Sequence, residues 1–202
     1  MGQQSQWWAF LRACVRSPAA VGALVPTGRA ASWALARAAG VEDARLVLEV
    51  GAGTGPVTEA ILELAPQARL VSVERDPELA AIIRNQHQPR IHFGSRCDVV
   101  TGDARDARRF LAERGHHQVD SVVAAIPFTM LSADEQAEIL DMVDDVLAAQ
   151  GGFSSIVYVH SVCLPAFWRF VRALKKRFPK VTLLGPVWKN VPPAFILKAT
   201  KD

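Results

Sequence analysis

The chain has 202 residues, half of them hydrophobic, and a formal net charge of +3. This length suits one domain with a full three-layer core, so we expect residues 1–202 to form a single domain. No apolar run reaches the roughly 18 residues that a membrane-spanning helix needs, and no signal-peptide pattern opens the chain. The three cysteines, Cys14, Cys97 and Cys163, lack disulfide or metal-ligand spacing. This predicts buried, reduced thiols in a cytoplasmic protein that binds no metal.

The charges are distributed unevenly along the chain. Residues 1–41 carry four arginines and no acid, residues 42–150 carry ten basic and nineteen acidic side chains, and residues 151–202 carry nine basic residues and one acid. Basic ends around an acidic middle suggest an anionic partner that is met by the termini. The alternative is solvated basic helix faces that meet no partner.

The N-terminal segment, residues 1–41, is predicted to be helical. Within residues 7–17, one helical stripe is apolar (Trp7, Phe10, Leu11, Cys14) and Arg12 and Arg16 lie on another face. Such a helix fits a membrane surface, but it equally fits a lid that packs over a sheet edge. A second helix is expected from a Thr27 cap to about Ala39, with Gly40 ending it.

The run Leu46 to Gly55, LVLEVGAGTG, organises the rest of the chain. An apolar β-branched stretch ends in Glu49-Val50, glycines follow at 51, 53 and 55, and Pro56 opens a helical apolar pattern. This predicts strand, tight turn and helix, with proline at the first helical position, where its missing N–H costs nothing. Glycines permit a sharp turn and a close approach of the backbone to a ligand.

Further strands are expected at regular intervals. Leu70–Val73 ends in Glu74-Arg75, Asp98–Thr101 leads into Gly102-Asp103-Ala104, and Asp120–Ala124 leads into Ala125-Ile126-Pro127-Phe128. An acid at the end of the second strand, about 20 residues after the glycines, suits the hydroxyls of a ribose. The carboxyl ends of parallel strands share one edge of a sheet, so these turns should meet there.

The C-terminal half completes an α/β pattern. Ser132–Glu135 is a capping box for a helix that is expected to end at Gly151-Gly152. A fifth strand is expected at 153–159, then a basic amphipathic helix at 165–178, and two runs, 181–184 and 194–199, that pair as an antiparallel hairpin. We therefore predict a Rossmann-like seven-stranded sheet of order 3-2-1-4-5-7-6, with helices on both faces and the last strand antiparallel.

The spacing of the glycines separates two classes of nucleotide ligand. Dinucleotide folds use Gly-x-Gly-x-x-Gly beneath a pyrophosphate, whereas this turn is Glu-x-Gly-x-Gly-x-Gly, and its carboxylate suits a cationic amino acid–nucleoside. With Glu74 and the Gly-Asp-Ala turn, it resembles the class I S-adenosylmethionine-dependent methyltransferases. The resemblance implies that S-adenosyl-L-methionine lies against these turns. According to this resemblance, the methionine part is met by Glu49, Gly51, Ala52, Gly53, Thr54 and Gly55. The ribose is met by Glu74 and Arg75, and the adenine by Gly102, Asp103 and Ala104. The site is completed by Ala125, Ile126 and Pro127.

A closer resemblance covers most of the chain. Residues 10–38, with Phe-Leu-Arg, Arg-Ser-Pro and Val-Pro-Thr-Gly-Arg-Ala, and the tail 186–194, PVWKNVPPA, resemble the bacterial phospholipid N-methyltransferases. Leu48–Gly55 also resembles the rRNA adenine dimethylases, but these usually carry a further helical domain, for which we expect no room. The turn after strand four lacks the Asn that methyltransferases of base amines use. The chain departs from the phospholipid family after strand five, where Tyr158-Val-His160-Ser161 replaces a tyrosine-rich stretch.

The resemblance implies methylation of the amine of phosphatidylethanolamine-type lipids. His160 or Tyr158 is expected to take or relay the amine proton, and Phe128, Tyr158 or Trp188 could offer an aromatic face to a methylated ammonium. The expected enzyme is a monomer at the cytoplasmic face of the inner membrane, held there by the N-terminal segment and the basic helix. An RNA methyltransferase, a small-molecule methyltransferase and a non-catalytic cofactor-binding module remain as alternatives.

Overall fold

The computed structural model of the protein describes residues 27–87 and 96–202. Helices and strands alternate along these residues, with a long final hairpin. They run as α1 (Arg29–Ala38), β1 (Leu46–Val50), α2 (Pro56–Leu64), β2 (Arg69–Glu74), α3 (Pro77–His87), β3 (Cys97–Thr101), α4 (Ala107–Ala112), β4 (Val119–Ala124), α5 (Ala133–Val146), β5 (Leu147–Tyr158), α6 (Pro165–Arg177), β6 (Lys180–Val187) and β7 (Ala194–Thr200). The predicted N-terminal helix at residues 7–17 lies outside the described residues.

The strands form one seven-stranded sheet in the order β3-β2-β1-β4-β5-β7-β6. Strands β1 to β5 pair in parallel, and β7 pairs antiparallel with both β5 and β6. The predicted Rossmann-like architecture is therefore confirmed. The turns that follow β1, β2, β3, β4 and β5 all leave from one side of the sheet, which we call the carboxyl edge.

Two apolar cores sandwich the sheet, because successive strand residues face opposite ways. Leu46, Leu48 and Val50 of β1 belong to the core beneath α4, α5 and α6, whereas Val47 belongs to the core beneath α1 and α2. Both cores include residues of the central strands that are almost fully buried. All five residues of β1 are buried, so β1 forms the centre of the sheet and fixes the position of the turn that follows it.

Several helix boundaries follow local sequence signals. The carboxylate of Asp76 accepts the backbone N–H of Glu78 and of Leu79 at the start of α3. Ser132 and Glu135 form the reciprocal capping box at the start of α5. The predicted capping box is confirmed, and both caps satisfy backbone donors that a helix N-terminus leaves unpaired.

Three predicted boundaries were wrong. The capping residue of helix α1 is Gly28, not Thr27, and it provides no side-chain capping bond. Helix α5 ends at Val146, not at the glycine pair, because β5 already begins at Leu147 and pairs there with Val119. Strand β5 ends at Tyr158, which leaves His160 in a short 3₁₀ helix, Val159–Cys163. The expectation of a buried thiol is also wrong for Cys163, which is exposed at the end of this short helix.

Candidate cofactor site

The glycine turn after β1 has the backbone geometry that its glycines predict. Gly51, Gly53 and Gly55 all have positive φ, at 79°, 58° and 95°. A Cβ on Gly51 would lie 2.3 Å from Cγ2 of Ile126, which follows β4. Only glycine therefore lets the ends of β1 and β4 approach this closely.

Gly53 presents its open side to the space above the turn. A Cβ there would meet no atom within 4 Å, so nothing of the described chain fills this space. Its N–H donates to Oε2 of Glu74 at 2.7 Å. The turn is thus held from below by β2 and remains open on the side from which a ligand would approach.

Glu49 is fully buried beneath the turn. Its Oε2 accepts the hydroxyl protons of Thr58, at 2.6 Å, and of Ser72, at 2.7 Å, whereas its Oε1 has no hydrogen-bond partner in the described residues. Burial raises the pKa of Glu49 from its usual 4.5 to about 7, against the lowering effect of the two hydroxyls. A buried carboxylate with a spare oxygen gains stability from a positive charge nearby, so this site fits a cationic ligand.

Glu74 and Asp103 end the next two strands at the same edge. Glu74 is buried and also accepts the N–H of Asp76 at 2.9 Å; burial raises its pKa, against the lowering by these backbone bonds. Asp103 accepts the backbone N–H and two guanidinium donors of Arg105, and this bonding holds the pKa of Asp103 below its usual range. Both side chains are therefore ordered by neighbours, and Asp103 is an ionised acceptor.

The turn after β4 closes the site on its apolar side. Ala125 donates its N–H to the carbonyl of Val50 at 2.9 Å, which ties the turn to the end of β1. Phe128 is only 1 % exposed and stacks on Phe170, with ring centroids 4.2 Å apart. The expectation that Phe128 could offer its ring to an acceptor is wrong, because that ring is part of the core beneath α6.

Tyr158 and His160 lie where β5 ends. Their rings stack in parallel, with centroids 5.8 Å apart, and the imidazole is exposed while the phenol is buried. Burial raises the pKa of Tyr158 above 10, which disfavours the phenolate. Of the two, His160 is the side chain that a substrate could reach from solvent.

Sequence reasoning missed the residues that hold the site together over long separations. Thr58 and Ser72 fix the Glu49 carboxylate, and Asn190 bonds to the start of α1. Nothing local distinguishes these residues from ordinary helix, strand and loop positions. Their partners are 9 to 162 residues away, so only the folded chain brings them together.

A cavity of about 320 Å³ opens at the opposite edge of the sheet, away from these residues. Two of its polar side chains are already engaged in the fold. Oδ2 of Asp120 accepts the N–H groups of Arg45 and Leu46, and Ser121 donates its hydroxyl to the carbonyl of Ala39. The carboxyl edge, not this cavity, gathers the groups suited to a ligand. No group of three or more metal-ligating side chains occurs within residues 27–87 and 96–202.

The sheet order and the acid-plus-glycine turn define a class I methyltransferase. A family model described as a methyltransferase domain matches residues 47–151. The chain is 33% identical over 189 residues to an ornithine lipid N-methyltransferase from Singulisphaera acidiphila, covering 93% of this chain and 92% of that protein. It is 43% identical over 59 residues to ribosomal RNA small subunit methyltransferase A from Chlorobaculum parvum, which is 29% of this chain and 20% of that one.

The fold is also similar to that of the O-methyltransferase TomG from Streptomyces achromogenes, solved in complex with S-adenosylmethionine. The TM-score is 0.66 at 17% identity, over 85% of this chain and 79% of that chain. The chain belongs to the methyltransferase-domain family and is similar to the ornithine lipid N-methyltransferase over most of both chains. It is accordingly an S-adenosyl-L-methionine-dependent methyltransferase.

Proposed function

We propose that this enzyme transfers a methyl group from S-adenosyl-L-methionine to an amine in the head group of a membrane lipid. The observation that carries the proposal is the match to a lipid N-methyltransferase over 92% of that relative. The match to the rRNA methyltransferase spans only a fifth of its relative. A match of that extent supports the shared fold and cofactor, not the acceptor.

The turn after β4 also argues against the amine of a nucleic-acid base as the acceptor. Methylation of a base needs a polar group for the exocyclic amine and an aromatic face for the ring. Here the first turn position is Ala125, and the ring of Phe128 is already stacked on Phe170. Neither requirement is met by this turn, which favours an acceptor recognised by other means.

The cofactor would lie along the carboxyl edge. Residues 51–55 and Glu49 would meet its methionine part, Glu74 and Arg75 its ribose, residues 102–104 its adenine, and residues 125–127 would close the site. The ionised Asp103 suits the adenine amino group, and the spare Oε1 of Glu49 suits a positive charge. When bound, the cofactor supplies an electrophilic methyl group on a sulfonium, so that in-line placement of the amine provides much of the catalysis.

We assign the acceptor side to the end of β5. The amine must lose a proton for its lone pair to attack, and the exposed imidazole of His160 would take it. Tyr158 would hold that imidazole through the parallel ring stack. The phenol of Tyr158, with a pKa raised by burial, would serve as a hydrogen-bond donor or as a packing surface, and not as the base.

Phosphatidylethanolamine is the acceptor that the sequence resemblance favours, and an ornithine lipid is the acceptor in the name of the homologue. Both present an amine on a membrane lipid. The enzyme would work as a monomer at the cytoplasmic face of the inner membrane, held there by the N-terminal segment and the basic residues of α6. Within the described residues, no helix has the length and apolarity to cross a bilayer.

The test offers labelled S-adenosyl-L-methionine with three acceptors: phosphatidylethanolamine vesicles, ornithine-lipid vesicles and unmodified ribosomal RNA. Label in a lipid fraction supports the proposal, and the fraction identifies the head group. Label in RNA alone would overturn it.

A matched pair of variants locates the cofactor. Gly53→Arg should abolish cofactor binding, because the new side chain fills the open space above the turn. Gly115→Arg is the control, since Gly115 also has a positive φ, at 75°, and open space around its Cβ, but lies after α4, away from the site. Equal cofactor affinity in the two variants would contradict the placement of the site.

A further inference from the structure

The loop between β6 and β7, residues 188–193, is built around a buried asparagine. Asn190 is 1 % exposed; its Oδ1 accepts the N–H of Gly28 at 2.7 Å, and its Nδ2 donates to the carbonyl of Pro192 at 2.6 Å. Its neighbours point the other way, since Trp188 is 71 % and Val191 76 % exposed. The loop is thus held firmly while it presents two large apolar side chains to the outside.

This loop lies beside the acceptor end of the site. The N–H of Val159 donates to the carbonyl of Pro193 at 2.9 Å, which joins the loop to the residue before His160. Because β6 runs parallel to β5, the loop leaves from the carboxyl edge. Helix α6 begins at the same edge, and its start exposes two further apolar side chains, Leu164 at 43 % and Trp168 at 57 %.

Basic side chains follow this apolar group down the outside of α6. Arg172, Lys175 and Lys176 are exposed, and none of them forms an ion pair with another described residue. At 1.5 Å rise per residue, Arg172 lies about 6 Å and Lys176 about 12 Å below Trp168 along the helix axis. Lys189 adds a cation beside Trp188. Asp76 and Asp103, the half-buried acids that follow β2 and β3, lie at the other end of the sheet, whereas the exposed Asp134 lies in the first turn of α5, the helix that packs beside α6.

We propose that Leu164, Trp168, Trp188 and Val191 form a docking surface that inserts into an anionic lipid bilayer, with the cations of α6 at the depth of the head groups. The choice of a lipid as the partner rests on the proposed function. The docking surface extends that function by setting the orientation of the enzyme on the membrane. An apolar tip above a cationic band matches the layers of such a bilayer. The carboxyl edge then faces the membrane, and a head-group amine can reach His160 without leaving the bilayer surface.

The first experiment measures flotation of the full chain with phosphatidylglycerol–phosphatidylcholine vesicles. These contain no amine acceptor for the proposed reaction, and no cofactor is added, so binding is measured apart from turnover. The variant Trp168→Ser/Val191→Ser should partition at least about tenfold more weakly, because each residue loses the burial of a large apolar side chain. Leu183→Ser/Leu184→Ser is the matched control; both leucines are exposed, at 44 % and 39 %, but lie within the edge strand β6.

Equal binding of the two double variants would overturn the docking surface, and so would a wild-type chain that stays unbound. Methyl transfer to a short-chain, monomeric phosphatidylethanolamine separates the two proposals. If Trp168→Ser/Val191→Ser loses vesicle binding and retains transfer to the monomeric lipid, both stand. If wild type binds vesicles through this surface but methylates no lipid, the docking surface stands and the proposed function fails.

A second readout examines Trp188 alone. The fluorescence lost in Trp188→Phe reports that indole, and bromine on the acyl chains of the vesicles should quench it. If the indole is shielded from aqueous acrylamide before vesicles are added and unaffected by brominated lipid, another part of the chain covers the surface, and the inference is wrong.

Discussion

Replacing Glu49 by glutamine tests the electrostatics at the centre of the site. The folded state holds a proton on Glu49 up to about pH 7, whereas an unfolded glutamate releases it near 4.5. A carboxyl whose pKa is raised by folding stabilises the protein fully below its unfolded pKa, and this stability is lost as pH rises through the folded pKa. The ligand-free protein should therefore lose stability between pH 4.5 and 7, and glutamine should remove that contribution.

The magnitude follows from the two pKa values. Between pH 5 and pH 8, the free energy of unfolding of the wild type should fall by about 2 to 3 kcal/mol more than that of Glu49→Gln. Urea unfolding of both proteins at the two pH values, without cofactor, measures this difference. Glutamine retains an oxygen that can accept the hydroxyl protons of Thr58 and Ser72, so the comparison changes the ionisation and little else.

Thr58→Val provides the opposite perturbation. The hydroxyl of Thr58 lowers the pKa of Glu49, so its removal should extend the loss of stability to higher pH. If the stabilities of wild type and Glu49→Gln change in parallel from pH 5 to pH 8, the Glu49 carboxyl is ionised in the folded protein throughout, and the reasoning is refuted.

Three other substitutions probe the turn, the loop and the acceptor side. Gly51→Ala should lower the free energy of unfolding by about 2 to 4 kcal/mol in urea, because it strains a positive φ and its Cβ meets Ile126. Asn190→Ala should cost about 1 to 3 kcal/mol by leaving the N–H of Gly28 without its partner, with faster hydrogen exchange at Gly28. His160→Gln should lower kcat/KM for the lipid about 100-fold and remove the acidic limb of its pH profile.

Each of these expectations has its own contrary outcome. The explanation for Gly51 fails if truncation of Ile126 to alanine does not recover part of the stability of Gly51→Ala. Unchanged exchange at Gly28 in Asn190→Ala would mean that the two segments are held by other contacts. A His160→Gln enzyme with the wild-type pH profile would exclude the imidazole as the base.

The sequence predicted the sheet because its signals are local. Alternating glycines after an apolar run, acids at or just after the ends of β1, β2 and β3, and a capping box each act within a few residues, and all of them point to one topology. The role of Phe128 was harder to predict, since an aromatic side chain after a strand can contact a ligand or pack in a core. Phe170, 42 residues away, decides in favour of the core by stacking on its ring.

The start of α1 illustrates why boundaries and long-range contacts escape such reasoning. Thr27 is a good capping residue, yet the N–H of Gly28 is satisfied by Asn190, from a loop 162 residues away. The same holds for Glu49: the glycine turn marks it as part of the site, but its raised pKa comes from burial beneath α2. Burial is a property of packing and has no counterpart in local spacing.

The last strand has a practical consequence for handling the protein. Strand β7 carries the chain away from the carboxyl edge, and Lys201 donates its N–H to the carbonyl of Gly151 at 3.0 Å, at the far side of the sheet. A tether joined after Asp202 therefore begins at the side opposite His160. Protein immobilised in this way presents its carboxyl edge to the solution, so lipid binding can be measured on a uniformly oriented surface.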